Sequence, residues 1–134
     1  MDVKEISAKE TWYLRHKVMW PEKDIEYIKL KDDELGKHFG LFVNHDLISV
    51  ISLFEKNNVV QFRKFATLQE LQGKGYGSVL LDYVLKEAEK QGATSFWCNA
   101  RVNKIDFYKK FGFEEIEEAA TKDGMKYVKM SKNF

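Results

Sequence analysis

The sequence has little cysteine, no cysteine–histidine set with metal-ligand spacing and no long apolar run; these are the features that would mark a secreted, metal-binding or membrane protein. It contains one cysteine, so an internal disulfide is excluded, and no cysteine–histidine set has the spacing of metal ligands. No apolar run approaches the length of a membrane span, and the charged first residues are not typical of a signal peptide. The chain is therefore expected to be cytoplasmic, with neither a bound metal nor a membrane partner.

The near-neutral charge balance bears on the kind of partner that the chain can bind. The 22 basic and 21 acidic residues leave a formal charge of +1, which argues against a nucleic-acid partner. The 134 residues suffice for one domain, residues 1–134, with a substantial apolar core.

A glycine-rich turn stands between a predicted strand and a predicted helix near the middle of the chain. The β-rich run from Val59 to Ala66 precedes it, and apolar residues at helical spacing follow from Ser78 to Gln91. Three glycines before a helix let a phosphate approach bare backbone at the positive helix end. They are equally typical of a tight connection, and the spacing matches neither a P-loop nor a dinucleotide fingerprint.

The elements around this turn predict a mixed α/β sheet. Ser7 and Glu10 form a capping-box pattern before a first helix, and Asn44-His45-Asp46 separates two alternating strands. A strand, a helix and a further strand at Thr94 to Ala100 imply one parallel pair, because parallel strands need such a crossover. The other expected segments are strands at 3–6, 39–43, 47–54, 113–119 and 125–130, a short helix at 105–111, a possible strand at 27–30 and a turn at 122–124.

Two motifs in order resemble the GNAT superfamily of acyl-CoA-dependent N-acyltransferases. Gln72-Gly73-Lys74-Gly75-Tyr76-Gly77 resembles its Gln/Arg-x-x-Gly-x-Gly/Ala motif, and Phe107-Tyr108-Lys109-Lys110-Phe111-Gly112-Phe113 resembles its Phe-Tyr-x-x-x-Gly-Phe signature. The stretch from Phe62 to Thr67 is similar to its fourth strand, so the resemblance covers roughly residues 59 to 113. It implies the GNAT fold: a mostly antiparallel mixed sheet with one splayed parallel pair and helices on both faces.

The resemblance also implies a site for acetyl-CoA as co-substrate. The pyrophosphate is expected at the glycine turn and helix start, and the pantetheine arm along the strand backbone. Many family members place an asparagine that contacts coenzyme A seven residues before the tyrosine; that position here is Arg101, and Asn103 lies only five residues before Tyr108. The expected cofactor-binding residues are Phe65, Ala66, Thr67, Gln72, Gly73, Lys74, Gly75, Tyr76, Gly77, Ser78, Arg101 and Asn103.

For the reaction, Tyr108 is the predicted general acid toward the departing thiolate, with simple packing as the alternative. No glutamate lies within residues 59–66, where some family members place a base. Glu55, which ends the preceding strand, is the carboxylate best placed by position; Glu70, His38 and water are the alternatives.

The implied function is acetyl transfer to a primary amine of a small molecule or peptide. A non-catalytic acyl-CoA-binding regulator and a nucleotide-phosphate binder remain alternatives, since the same turn suits each of them. The sequence leaves the oligomeric state open between a monomer and a homodimer.

Overall fold

In a computed structural model, which describes residues 1–122 and 124–134 but not the side chains of residues 118 and 119, seven strands form one sheet. Its strand order is β1-β2-β3-β4-β5-β7-β6. The strands are β1 Asp2–Ile6, β2 Lys37–Val43, β3 Asp46–Lys56, β4 Val59–Thr67, β5 Ser95–Arg101, β6 Glu114–Lys122 and β7 Met125–Asn133. The helices are α1 Ala8–Leu14, α2 Tyr76–Lys90 and α3 Ile105–Lys109.

Two-residue turns join the strands of the β2–β3–β4 meander. Asn44 and His45 have φ of 52° and 70°, and Asn57 and Asn58 have 53° and 66°. Asparagine tolerates this left-handed conformation, and such turns match the twist of paired strands. The predicted hairpin at Asn44-His45-Asp46 is confirmed, and Asn57 and Asn58 form a second one; each strand extends one or two residues beyond its predicted limits. The predicted turn at 122–124 includes Asp123, which lies outside the described residues.

The N-terminal helix begins as predicted and ends differently. The Ser7 hydroxyl accepts from the Glu10 amide at 3.3 Å, and the Glu10 carboxylate accepts from the Ser7 amide at 3.0 Å, so the capping box is confirmed. After Leu14 the helix widens into a π-helical turn, Arg15–Met19, which the sequence analysis did not predict. The possible strand at 27–30 is wrong, because Ile25–Ile28 forms a 3₁₀ helix.

The parallel pairing of β4 with β5 is confirmed, and it is short. Only Val59, Val60 and Gln61 pair with β5, opposite Ser95 to Trp97. Beyond this point β5 remains paired with β7, and β4 remains paired with β3. The C-terminal halves of β4 and β5 therefore diverge and leave a gap between them.

Helices cover both faces of the sheet, as predicted. On one face α2 contributes Leu80, Leu81 and Val84 to the larger core, which also contains Cys98. On the other face Leu14 of α1 packs with Val50 and Ala66. Among the described helices, none is both long and apolar enough to span a membrane.

Candidate active site

The glycine turn leaves the first turn of α2 open. Gly73 and Gly75 have φ of 80° and 89°, and a Cβ built on either would meet nothing within 4 Å. Gly75 is the residue before the helix, and no side chain caps it. The helix begins at Tyr76, two residues before the predicted Ser78, so the unpaired N–H groups of its first turn directly follow the open glycines. Such a terminus suits an anion.

The turn is fastened to the end of β4. The Gln72 side-chain amide donates to the Thr67 carbonyl at 2.9 Å. Gly77 lies so close to β4 that an added Cβ would be 3.3 Å from the Phe65 ring and 3.4 Å from the Thr67 hydroxyl. The structure therefore brings together the two segments that sequence analysis assigned to one cofactor.

Beside this turn, β4 presents a free edge. Ala66 and Thr67 pair with Val50 and Ser49 of β3 on one side. On the other side, the pairing with β5 has already ended at Gln61. The Ala66 and Thr67 carbonyls accept from the side chains of Ser49 and Gln72, but no neighbouring strand covers this side of β4. An edge without a neighbouring strand suits an extended ligand with amide groups of its own.

Tyr108 lies at the base of the gap. Its side chain is 8% exposed and packs against Phe62, Phe107 and Phe113, with ring centroids 5.2–5.7 Å apart. Burial raises the pKa of Tyr108 far above its ordinary value; neighbouring Cys98 raises it further, and Arg101 lowers it. Its phenol therefore stays protonated at any working pH. None of the described side chains forms a hydrogen bond with it.

The other residues predicted to bind the cofactor have less well-defined positions relative to the glycine turn and the gap. Arg101 ends β5, half-buried, and its charge acts on Tyr108. Ser78 is half-buried in the first turn of α2, whereas Lys74 is exposed beside the glycines. Asn103 is exposed in the 3₁₀ helix Val102–Lys104, so the structure does not bring it into a defined contact.

The predicted base Glu55 is separated from this group. It pairs with Val60, whereas Ser49 pairs with Thr67, so Glu55 lies six positions along β3 from Ser49, about 20 Å at 3.3 Å per residue. Its carboxylate accepts from the Asn58 amide at 3.2 Å in the hairpin turn. Glu55 thus lies at the far end of the hairpin from the open edge.

The two alternative bases are no better placed. Both ring nitrogens of buried His38 are engaged, Nδ1 with the Ser52 hydroxyl at 2.7 Å and Nε2 with the Asp33 carbonyl at 2.8 Å. Glu70 is exposed in the 3₁₀ helix Gln69–Leu71.

Sequence analysis missed a buried ion pair on the α1 face of the sheet. Arg15, fully buried, donates from Nη1 and Nη2 to the two Asp33 oxygens, each at 2.9 Å, and from Nη2 to Ser52 at 2.9 Å. Burial would raise the pKa of Asp33, but the hydrogen bonds and charge of Arg15 hold it below its ordinary value. The available signal was helical spacing, since Arg15 lies four residues after buried Thr11.

Lys64 was also missed. It has φ of 55° within β4, where the register against β3 shifts between Val50 and Ser52. Desolvation and, after it, the charges of Arg15, Arg63 and Lys122 together lower the pKa of Lys64 to about 8, and the charge of Asp33 opposes them. A left-handed, half-buried lysine within a strand is unusual and marks a place where strain is retained.

Comparison with known proteins gives one consistent result. The family profile described as "Acetyltransferase (GNAT) domain" matches residues 4–134. The uncharacterized N-acetyltransferase YitI of Bacillus subtilis is 32% identical over 127 residues, which cover 88% of this chain and 85% of that protein.

Solved structures share the fold across the chain. A putative N-acetyltransferase from Lactobacillus plantarum has a TM-score of 0.85 at 24% identity, covering 99% of each chain. A GNAT family acetyltransferase from Elizabethkingia anophelis, solved with acetyl-CoA bound, has a TM-score of 0.79 at 14% identity, covering 99% of this chain and 97% of that one.

Proposed function

This chain belongs to the GNAT family of acetyltransferases, and from that premise we propose that it transfers acetyl from acetyl-CoA to a primary amine of a small molecule or peptide. The amine attacks the thioester directly while both substrates are bound. The observation that carries the proposal is the glycine turn, fastened by Gln72 to the free edge of β4, with Tyr108 at the base of the same gap.

The glycine turn has the properties that a pyrophosphate needs. The space beside Gly73 and Gly75 is empty of protein atoms, and the uncapped start of α2 supplies N–H donors. Lys74 adds a positive charge, and Ser78 lies in the first helical turn. Residues 73–78 would hold the pyrophosphate.

The free edge of β4 would hold the pantetheine arm. Backbone groups of Phe65, Ala66 and Thr67 lie along the gap, and the arm would pair there as an added strand does. Bound acetyl-CoA supplies an activated acetyl group. A backbone N–H aimed at its carbonyl oxygen would stabilise the negative charge that develops there.

Tyr108 is proposed to act on the departing sulfur. Because burial raises the pKa of Tyr108 far above that of an ordinary thiol, a full proton transfer to the thiolate is uphill. A hydrogen bond from the phenol is sufficient to stabilise the charge, and a bond to a charged group contributes about 1.5–3 kcal/mol.

Of the predicted bases, Glu55 lies at the opposite end of the hairpin from this gap, both ring nitrogens of His38 are hydrogen-bonded, and Glu70 is exposed. We therefore propose that the acceptor loses its proton to water. The rate should then rise with pH until the amine is neutral.

The experiment is a panel of primary amines incubated with acetyl-CoA, with thiol release measured against a reaction lacking acceptor. Amine-dependent thiol release supports acetyl transfer. Binding of acetyl-CoA with no thiol release for any amine would instead favour a regulatory module. Competition by ATP as strong as that by coenzyme A would favour a nucleotide-phosphate site.

A further inference from the structure

Two adjacent carboxylates on the α1 face of the sheet each form an ion pair with an arginine. Asp33 holds buried Arg15 through two hydrogen bonds. Asp32 lies 3.5 Å from Arg63 of β4, whose guanidinium also packs over the Phe54 ring. Each of these carboxylates therefore already has an arginine as its partner.

Lys64 and Lys122 lie beside these pairs, and among the described charges that act on Lys64 only that of Asp33 favours its charged form. Neither forms an ion pair or hydrogen bond with a side chain that the structure describes. The charges of Arg15, Arg63 and Lys122 all oppose the positive charge of Lys64. The described part of this face therefore concentrates more positive than negative charge around a half-buried ammonium.

Arg15 supports the same conclusion independently. Its side chain is fully buried, and its Nε is the one buried side-chain nitrogen or oxygen among the described residues without a hydrogen-bond partner. Buried polar groups are nearly always satisfied, and because this atom is enclosed by protein, it shows only that the cationic cluster is short of acceptors among the described residues.

The position of the cluster connects it with the reaction. Lys64 directly precedes Phe65 and Ala66, whose backbone borders the gap, and the bulge at Lys64 breaks the regular alternation of β4. Arg63 pairs across the sheet with Ser52, which accepts a hydrogen bond from Arg15, so Arg15 and Arg63 share one face of the sheet, and Lys64 directly follows Arg63 on the strand that borders the proposed acetyl site.

We infer that the amine acceptor carries an anionic group, a carboxylate or a phosphate, which the Lys64 ammonium holds on the α1 face with help from Lys122. This inference rests on the proposed acetyl transfer and specifies its substrate class. An acceptor anion would relieve the charge repulsion that the free protein tolerates. It would also leave the amine beside the free edge of β4, where the acetyl group is expected.

The test uses acceptor pairs that differ only in the anion. 4-Aminobutyrate is compared with 4-aminobutanamide, and phosphoethanolamine with ethanolamine, so the two arms separate a carboxylate from a phosphate. We expect kcat/KM to favour the anionic member of at least one pair about tenfold or more, since a close unscreened charge pair readily supplies that factor. Lys64→Met should remove most of the preference and Lys64→Arg should retain it. Lys56→Met, at the far end of the same hairpin, is the matched control.

A second measurement decides the question even if no amine in the panel is acetylated. Lys64 is labelled at pH 8 with a neutral amine reagent and followed by mass spectrometry. A bound anion that returns the lysine toward its ordinary pKa of about 10.4 should slow labelling about tenfold or more.

Two results would overturn the inference while leaving acetyl transfer intact. One is equal kcat/KM for both members of each pair together with labelling that no anionic member slows. The other is stoichiometric acetylation of Lys64 by acetyl-CoA without acceptor, which would make this lysine a nucleophile. Absence of thiol release with every amine, alongside slowed labelling, would count against the proposed function and support the anion site.

Discussion

Replacing Lys64 by methionine is expected to stabilise the fold at neutral pH. The ammonium is half-buried among the charges of Arg15, Arg63 and Lys122, and no described carboxylate pairs with it. Methionine has a similar length, adapts to irregular space and carries no charge. The substitution therefore removes a repulsive group without opening a cavity.

The size of the effect follows from the shift in proton affinity. The pKa of Lys64 falls from 10.5 to about 8 in the fold, first through desolvation and then through the neighbouring cations. At about 1.36 kcal/mol per tenfold change, this corresponds to roughly 3 kcal/mol. Because part of the side chain remains in water, solvent screening reduces the figure, and we expect a gain of about 1–2 kcal/mol. In a domain of this size that raises Tm by about 3–8 °C.

The lowered pKa of Lys64 determines how the free energy of unfolding changes with pH. Below pH 8 Lys64 is charged in both states, so the native state bears the full penalty. Between pH 8 and 10.5 the unfolded state binds more protons at this site, so the stability of the wild type rises with pH. The advantage of Lys64→Met should therefore be greatest below pH 8 and shrink toward pH 10.5.

Urea unfolding of both proteins from pH 7 to 10.5 measures this difference, and other titrating groups cancel between them. Lys56→Met, an exposed change in the hairpin turn, should alter stability by less than about 0.5 kcal/mol at every pH. A Lys64→Met protein no more stable than wild type at pH 7, or one whose advantage does not change with pH, would refute the assigned environment.

Three further changes test the proposed site. Gly75→Val should weaken coenzyme A binding sharply while the fold persists; Gly92→Val, with φ of 96° and equally open space, carries the same backbone strain and should leave affinity unchanged in calorimetry. Tyr108→Phe should lower turnover about 10- to 100-fold, the loss of one hydrogen bond to a charged group, with little change in acetyl-CoA affinity or Tm; turnover within about twofold of wild type would make Tyr108 a packing residue. Glu55→Gln should leave the pH–rate profile unchanged, because its carboxylate lies in the hairpin turn, and a selective loss at low pH would restore it as the base.

The features that sequence analysis predicted correctly are those that neighbouring residues determine. The Ser7–Glu10 capping box and the asparagine turns need only residues three or fewer positions apart. The strand–turn–helix unit was recognised because its glycines, apolar spacing and motif agree with one another. Its helix begins two residues early because Gly77 packs closely on β4, a tertiary contact that periodicity does not encode.

The features that were missed depend on partners distant in sequence. Asp33 stands in a charged stretch that is typical of a solvated surface, and its burial is decided by Arg15, 18 residues earlier. The strained backbone at Lys64 leaves no compositional signal, since lysine has no preference for a positive φ. Glu55 was favoured by its proximity in sequence to β4, but antiparallel pairing carries that end of the hairpin away from the gap.

The brief β4–β5 pairing makes the sheet two half-sheets joined at one end. Three register pairs, with the Thr94 amide bonded to the Asn58 carbonyl at 2.8 Å, form the joint, and the described residues of the two strands beyond Gln61 and Trp97 are not paired with each other. A ligand bound in the gap would bridge the two half-sheets where the strands are not paired with each other. At a hundred times its Kd, such a ligand adds about 2.7 kcal/mol to the free energy of unfolding. The free enzyme should therefore exchange the β4 amides beyond Gln61 faster than those before it, and coenzyme A should remove the difference.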